Sequence, residues 1–162
     1  MTDTNTAGNQ PPLTVNGQYI KDLSFEVPGA PAIFHEMQGQ NPEIPIHVDI
    51  DATKLADTAY EVVLHLRVEA TLPGGKPVFI AELAYGGIFI LNVPEEHVQP
   101  VLLVECPRLL FPFARNLIAD MTRDGGFPPL MIQPLDFVQL YRSRLEQMAA
   151  EQGEPAAPEA TA

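Results

Sequence analysis

Hydrophobic and polar positions alternate through the first half of the chain, which predicts a succession of strands. From Tyr19 to Val27, Tyr19, Lys21, Leu23, Phe25 and Val27 share one face while Ile20, Asp22, Ser24 and Glu26 share the other. Asp22 and Glu26 then stand about 13 Å apart at strand rise. Pro28-Gly-Ala-Pro31 ends this strand, and a loop carrying Ile33, Phe34 and Met37 follows. In the second run Ile44, Ile46, Val48 and Ile50 alternate with Pro45, His47, Asp49 and Asp51. Pro45 predicts an edge position, because proline cannot donate to a ladder. Tyr60, Val62, Leu64, Leu66, Val68, Ala70 and Leu72 hold one face of a third strand, and Pro73-Gly-Gly-Lys76 predicts a hairpin return. The fourth strand, from Pro77 to about Leu91, sets Val78 and Ile80 against Phe79, Ala81, Leu83 and Tyr85, with Glu82 its only charge. A strand apolar on both faces is usually covered on both. One core of this size covers one face, so the second cover is expected from another subunit. Gly86–Gly87 predicts a bulge.

Beyond the strands the period lengthens. Pro94-Glu95-Glu96 opens a short helix, expected to break at Pro107 because Cys106 is pushed out of the helical region by the proline after it. Pro112 either kinks the next helix or opens it; the pattern allows both. In that helix Leu109, Phe113, Leu117 and Met121 run four apart beside a second row of Leu110, Ala114 and Ile118. Arg108, Arg115, Asn116, Ala119, Asp120 and Arg123 take the other side. Gly125–Gly126 stops it. Phe127-Pro-Pro-Leu130-Met131-Ile132 is an extended, proline-stiffened apolar loop. Asp136 caps a last helix carrying Phe137, Leu140, Tyr141, Leu145 and Met148 on one side. These pieces either build a long apolar groove or place the loop as a plug in the core. Strands followed by helices predict an α+β fold: a four-stranded antiparallel sheet with helices packed on one face.

Length and composition narrow the function. The 162 residues, 46% of them apolar, suit one core. Residues 17–150 are expected to form that domain, between flexible tails at 1–16 and 151–162, the latter acidic and rich in Ala and Pro. A net charge of −12 argues against nucleic acid or an anionic membrane as partner and for basic partners. The lone cysteine, the lack of a secretory pattern in the first residues and the lack of a spanning apolar run point to a cytoplasmic protein without direct membrane insertion.

Chemistry is sparse. Gly75-Lys76 is followed by proline and makes no phosphate loop, and neither GxGxxG nor GxSxG occurs. Cys106, in an apolar run, reads as a buried inert thiol. The histidines lack metal-ligand spacing, although His47 and His65 can meet across neighbouring strands on the polar face with Asp49 and Asp51. No catalytic residue, metal site or cofactor is therefore expected. A small-ligand-binding or enzymatic domain using the polar face around His47, His65 and Asp49 is the alternative, and a plain oligomeric scaffold a third.

From Gln18 to Met148 the chain resembles SecB, the export chaperone family of Gram-negative bacteria. The resemblance rests on YIKDLSFEVPGAP (19–31), LADTAYEVVL (55–64), YGGIF (85–89), CPRLLFPFAR (106–115) and GGFPPL (125–130). It implies a homotetramer, a dimer of dimers, with the main helices between the two pairs of subunits. It implies an ATP-independent holdase that binds unfolded precursor proteins, keeps them competent for translocation and delivers them to the SecA motor. On this sequence the SecA-docking face falls on Asp22, Glu26, Ile80 and Glu82. The client groove falls on Ile33, Phe34 and Met37, on Phe127, Leu130 and Ile132, and on Leu140, Tyr141 and Leu145. The subunit interface is expected at Ala81, where some members carry a cysteine, and at Arg115, Asn116 and Asp120. The first loop lacks the tryptophan of better-known members.

Overall fold

The computed structural model describes residues 9–153. The tails expected at the two ends lie, for residues 1–8 and 154–162, outside the described residues. Strands β1 (Leu13–Glu26), β2 (Ile46–Lys54), β3 (Ala59–Thr71) and β4 (Pro77–Leu91) form one antiparallel sheet in the order β1-β4-β3-β2. The first strand starts earlier than residue 17. Leu13 pairs with Leu91 and Thr14 with Ile90, so ladder bonds hold residues that the polar composition had assigned to a tail. The β3–β4 hairpin is the expected one: Leu72 N–H donates to the Lys76 carbonyl at 2.9 Å, and Gly74 and Gly75 supply φ of +97° and +89°. Between β1 and β2 the chain crosses from one edge of the sheet to the other. It does so through a single helical turn, α1 (Ile33–Glu36), rather than plain loop.

The expected bulge at Gly86–Gly87 is absent. Both glycines stay in the ladder, opposite Val63 and Val62, and their lack of a side chain serves close packing instead. A Cβ on Gly86 would lie 2.8 Å from Cε2 of Tyr19, and one on Gly87 would lie 2.8 Å from Cε2 of Phe89. The register shifts fall in β1, between Val15 and Gly17 and between Ile20 and Asp22, and at Ala70/Thr71. An inserted residue inverts the pleat beyond it. Tyr19, opposite Gly86, therefore shares the outer face with Asp22, Ser24 and Glu26, and not the face of Leu23 and Phe25. Ile20, opposite Tyr85, joins Leu23 and Phe25 on the inner face.

The expected break at Pro107 does not occur either. Helix α2 (Glu95–Pro100) passes through a π-helical turn, Val101–Glu105, directly into α3 (Cys106–Asp124). Cys106 is helical, with φ −61° and ψ −51°. A wide π turn breaks the regular i→i−4 ladder, and Pro107 sits in the first turn of α3, where its missing N–H costs least. Pro112 lies inside α3, which settles the open choice. Gly126, at φ +95°, ends that helix, and Asp136 caps α4 (Phe137–Gln152) by accepting from Gln139 N–H at 3.0 Å.

Alternate residues of β3 (Val62, Leu64, Leu66, Val68) and β4 (Phe79, Ala81, Leu83, Phe89) meet α3 through Leu110, Ala114 and Ile118. Burying each large side chain here contributes roughly 1.5–3 kcal/mol. The Leu109–Phe113–Leu117–Met121 row goes inward only in its second half, where Leu117 and Met121 are partly buried against the core. Leu109 and Phe113 are exposed, while Phe111, Ala119 and Thr122 occupy the buried side of the helix. Thr122 is fully buried without penalty because its hydroxyl donates back to α3 carbonyls and accepts the Leu130 N–H at 2.9 Å.

Candidate functional site

The outer face of the sheet is a charged grid fixed by register. Ser24, Glu82, Arg67 and His47 form one cross-strand row, and Asp22, Ala84, His65 and Asp49 the next. Glu26 lies opposite Ile80. Asp22, Glu26, Ile80 and Glu82 are thus brought together on one face. Arg67 forms ion pairs with Glu82 and, at 3.3 Å, with Glu69. His65 Nε2 lies 2.9 Å from Asp51 Oδ2. Beside this patch Glu61 accepts from the Tyr19 hydroxyl at 2.8 Å and from the Lys21 ammonium. Those two bonds, Lys21 first, hold the Glu61 carboxyl below the usual carboxylate range. Burial, reinforced by Glu61, pushes the Tyr19 phenol up to about 12. The face is an open surface on which Arg67–Glu82 and His65–Asp51 pair across strands. The described residues hold no cluster of three or more His, Cys, Asp or Glu placed to bind a metal.

The apolar side is less simple than its sequence. Ile33, Phe127 and Ile132, three of the residues expected to line the groove, are buried in the chain's own core, so at Phe127 and Ile132 the loop is the core plug. Phe127 is 7% exposed, with ring centroids 5.0 Å from Phe79, 5.2 Å from Phe34 and 6.3 Å from Phe25. Its neighbours Pro128 and Pro129 hold the chain extended while the ring turns inward. Phe34 remains 38% exposed, and Met37 and Leu130 are half-buried.

Helix α4 has only Phe137 buried. Between α4 and the π turn opens a hollow of about 720 Å³, lined by Val101, Val104, Val138, Tyr141 and Leu145. Leu140 and Tyr141 line a second hollow against the β2 edge with Val48 and Ile50. Neither hollow includes any of the six loop residues, so the expected groove lining divides into an α4 part and a Phe34 part. Val101, Val104 and Val138 were missed. For Val101 and Val104 the signal was the run Val98–Val104, whose apolar residues exceed what one buried helical stripe needs.

Of the residues expected between subunits, Ala81 is 0% exposed, on the helix-facing side between Phe25 and Val68. It packs within one chain, because odd positions of β4 point under α3. Asn116 and Asp120 are exposed and line a hollow with Ile20, Tyr85, Phe113 and Leu117. Arg115 is half-buried, its guanidinium 5.8 Å from the Phe111 ring centroid and its Nε buried without a bond. Around that hollow Ile20, Leu23, Leu109 and Phe113 all stand exposed, a continuation of the apolar row that the core left unused.

An α+β domain, acidic on its sheet face and apolar along its helices, is what this geometry defines. Comparison with known proteins gives the class its name. The family model of the preprotein translocase subunit SecB matches residues 6–148. The protein-export protein SecB of Paramagnetospirillum magneticum is 66% identical over 155 residues, covering 95% of this chain and 99% of that protein. Its counterpart in Rhodospirillum rubrum is 56% identical over 161 residues, covering 99% and 98%. The chain belongs to the SecB family of protein-export chaperones, and it is not an enzyme. A SecB-like chaperone from Mycobacterium tuberculosis, solved in complex with a peptide from an antitoxin, shares the fold with a TM-score of 0.59 at 19% identity. That match covers 76% of this chain and 90% of the other. No described helix is long and apolar enough to cross a membrane.

Proposed function

We propose that this chain is an ATP-independent holdase of the cytoplasm. It binds unfolded precursor proteins along its α4 hollow, keeps them translocation-competent and passes them to SecA. The observation that carries the reading is the 720 Å³ hollow beneath a helix with one buried residue, walled mainly by aliphatic side chains and Tyr141, with His97, Glu105 and Arg142 also lining it. An open, largely apolar trough suits many sequences rather than one ligand. Phe34 and Leu130 form a second patch, and several weak contacts on one long chain add through multivalency. A net charge of −12 keeps such surface in solution.

SecA, as a basic docking partner, meets Asp22, Glu26, Ile80 and Glu82 on the outer face. The chain assembles as a homotetramer that covers Ile20, Leu23, Leu109 and Phe113, with Asn116 and Asp120 at the rim. The test is titration of the native protein with a reduced, carboxymethylated polypeptide and with the same polypeptide folded. Binding of the unfolded form alone, indifferent to ATP, is expected. Equal binding of both forms, or of neither, contradicts the holdase.

A further inference from the structure

The free edge of β2 carries an unusual arrangement at its centre. Among the described residues β2 pairs only with β3, so one set of its backbone groups faces away from the sheet. In an antiparallel ladder the outward groups belong to every second residue. At Ile50 both outward groups are already taken by side chains. Its N–H donates to Asp49 Oδ1 at 2.9 Å, and its carbonyl accepts from Arg144 Nη1 of α4 at 2.8 Å. Arg144 also lies 3.9 Å from Asp49, so the two caps support each other. Alternation then leaves Val48 and Ala52, on either side, with outward groups of the same kind.

We infer that Asp49 and Arg144 guard the β2 edge against strand-to-strand joining with a second copy of this chain. The inference stands apart from client binding and from the tetramer proposed above. The inner-face residues of β2, Ile46, Val48, Ile50 and Ala52, are what makes a guard necessary, because an apolar strand with open backbone groups is a template for self-pairing. In an antiparallel pairing of two β2 edges centred on Ile50, Val48 of one copy meets Ala52 of the other. The same register sets Asp49 against Asp51, and like charges directly opposite repel. The guard therefore has three parts: a carboxylate on the Ile50 N–H, a guanidinium on its carbonyl, and a carboxylate row facing its own image. His47 shares the outer face of β2 but lies toward its start, and Lys54, opposite Tyr60, falls on the inner face at its end, so neither stands beside the central carboxylates; His65 of β3 lies 2.9 Å from Asp51 within each chain. Asp49 and Arg144 are well exposed at their tips, so the caps act by occupying the backbone groups more than by adding stability.

The test compares the full chain with the Asp49→Ala/Arg144→Ala double variant, by light scattering from low to high protein concentration. Hydrogen exchange of the Val48, Ile50 and Ala52 amides is followed in the same samples. The double variant should grow beyond the wild-type mass, at a concentration at least tenfold lower than any growth of the wild type. Its three amides should gain protection as it does so. Adding Ala52→Pro, which removes an outward N–H that an edge strand can spare, should return the wild-type mass. In the wild type itself the Ile50 amide should exchange more slowly than those of Val48 and Ala52. Unchanged mass in the double variant, growth that the proline does not reverse, or equal exchange of the three wild-type amides would overturn the inference.

Discussion

Replacing Phe127 with alanine separates a core plug from a groove wall. The Phe127 ring is 7% exposed and has three aromatic neighbours within 6.3 Å. Removing roughly 150 Å² of buried ring at about 25 cal/mol per Å² costs about 4 kcal/mol. That agrees with the range of roughly 3–5 kcal/mol found when phenylalanine is cut to alanine in cores. Phe34, at 38% exposure, stacks on Phe127 alone and opens to solvent, so Phe34→Ala leaves no sealed cavity. Its loss should cost about 2 kcal/mol. Urea unfolding at one fixed protomer concentration measures both, since association makes stability concentration-dependent. The expected order is Phe127→Ala well below Phe34→Ala, with similar denaturant slopes. Equal losses, or a Phe127→Ala loss under about 1.5 kcal/mol, would refute the assignment of this ring to the core.

Other outcomes follow from the outer face and the buried thiol. Stability should fall as pH rises between about 10 and 12, because the unfolded chain loses its Tyr19 proton while the folded chain keeps it. Glu61 acts oppositely, its contribution present at neutral pH and lost as acid reaches its depressed folded value. Tyr19→Phe should flatten the alkaline loss and weaken the acid one, as read from urea midpoints across pH. Cys106, pushed up to about 12 by burial and by Glu105, should resist a thiol reagent at pH 8 in the folded protein and react at once in urea. Reversing Asp22 and Glu26 to lysine should weaken SecA binding severalfold, with the difference shrinking at high salt, while the mass stays unchanged. Unchanged SecA affinity would remove these carboxylates from the docking surface.

Much of the sheet was legible because period two is hard to mimic. β3 and β4 fall within a residue of their expected bounds, and Pro45 marked the edge correctly. The faces of β1 were not legible, since one inserted residue near Lys21 inverts the pleat without disturbing the alternation on paper. Gly86 and Gly87 read as a bulge because a glycine needed for space looks the same as one needed for conformation. The π turn was invisible for a related reason: prolines at 107 and 112 signal interruption, and only tertiary packing selects a widened turn over a break. Among site residues, Asp22, Glu26, Ile80 and Glu82 share one face, a grouping that the family resemblance implied and that alternation within separate strands does not give. The groove was grouped less well. Apolar loops announce burial somewhere, yet periodicity cannot say whether Phe127 or Phe34 turns inward. The outward row of α3 was likewise indistinguishable from a core row, because an apolar row left exposed is built from the same residues as a buried one.

The central claim is that the α4 hollow holds unfolded polypeptide. Its most direct test is the affinity of a fluorescent, reduced and carboxymethylated polypeptide for the Tyr141→Ser/Leu145→Ser variant. Tyr141 is half-buried and Leu145 exposed, and each offers roughly 60 Å² of apolar surface to a bound chain, or about 1.5 kcal/mol. One such contribution is close to a factor of ten in affinity. A loss of about tenfold or more in affinity is expected, with the urea midpoint nearly unmoved. Undiminished affinity in a stably folded variant would contradict the claim.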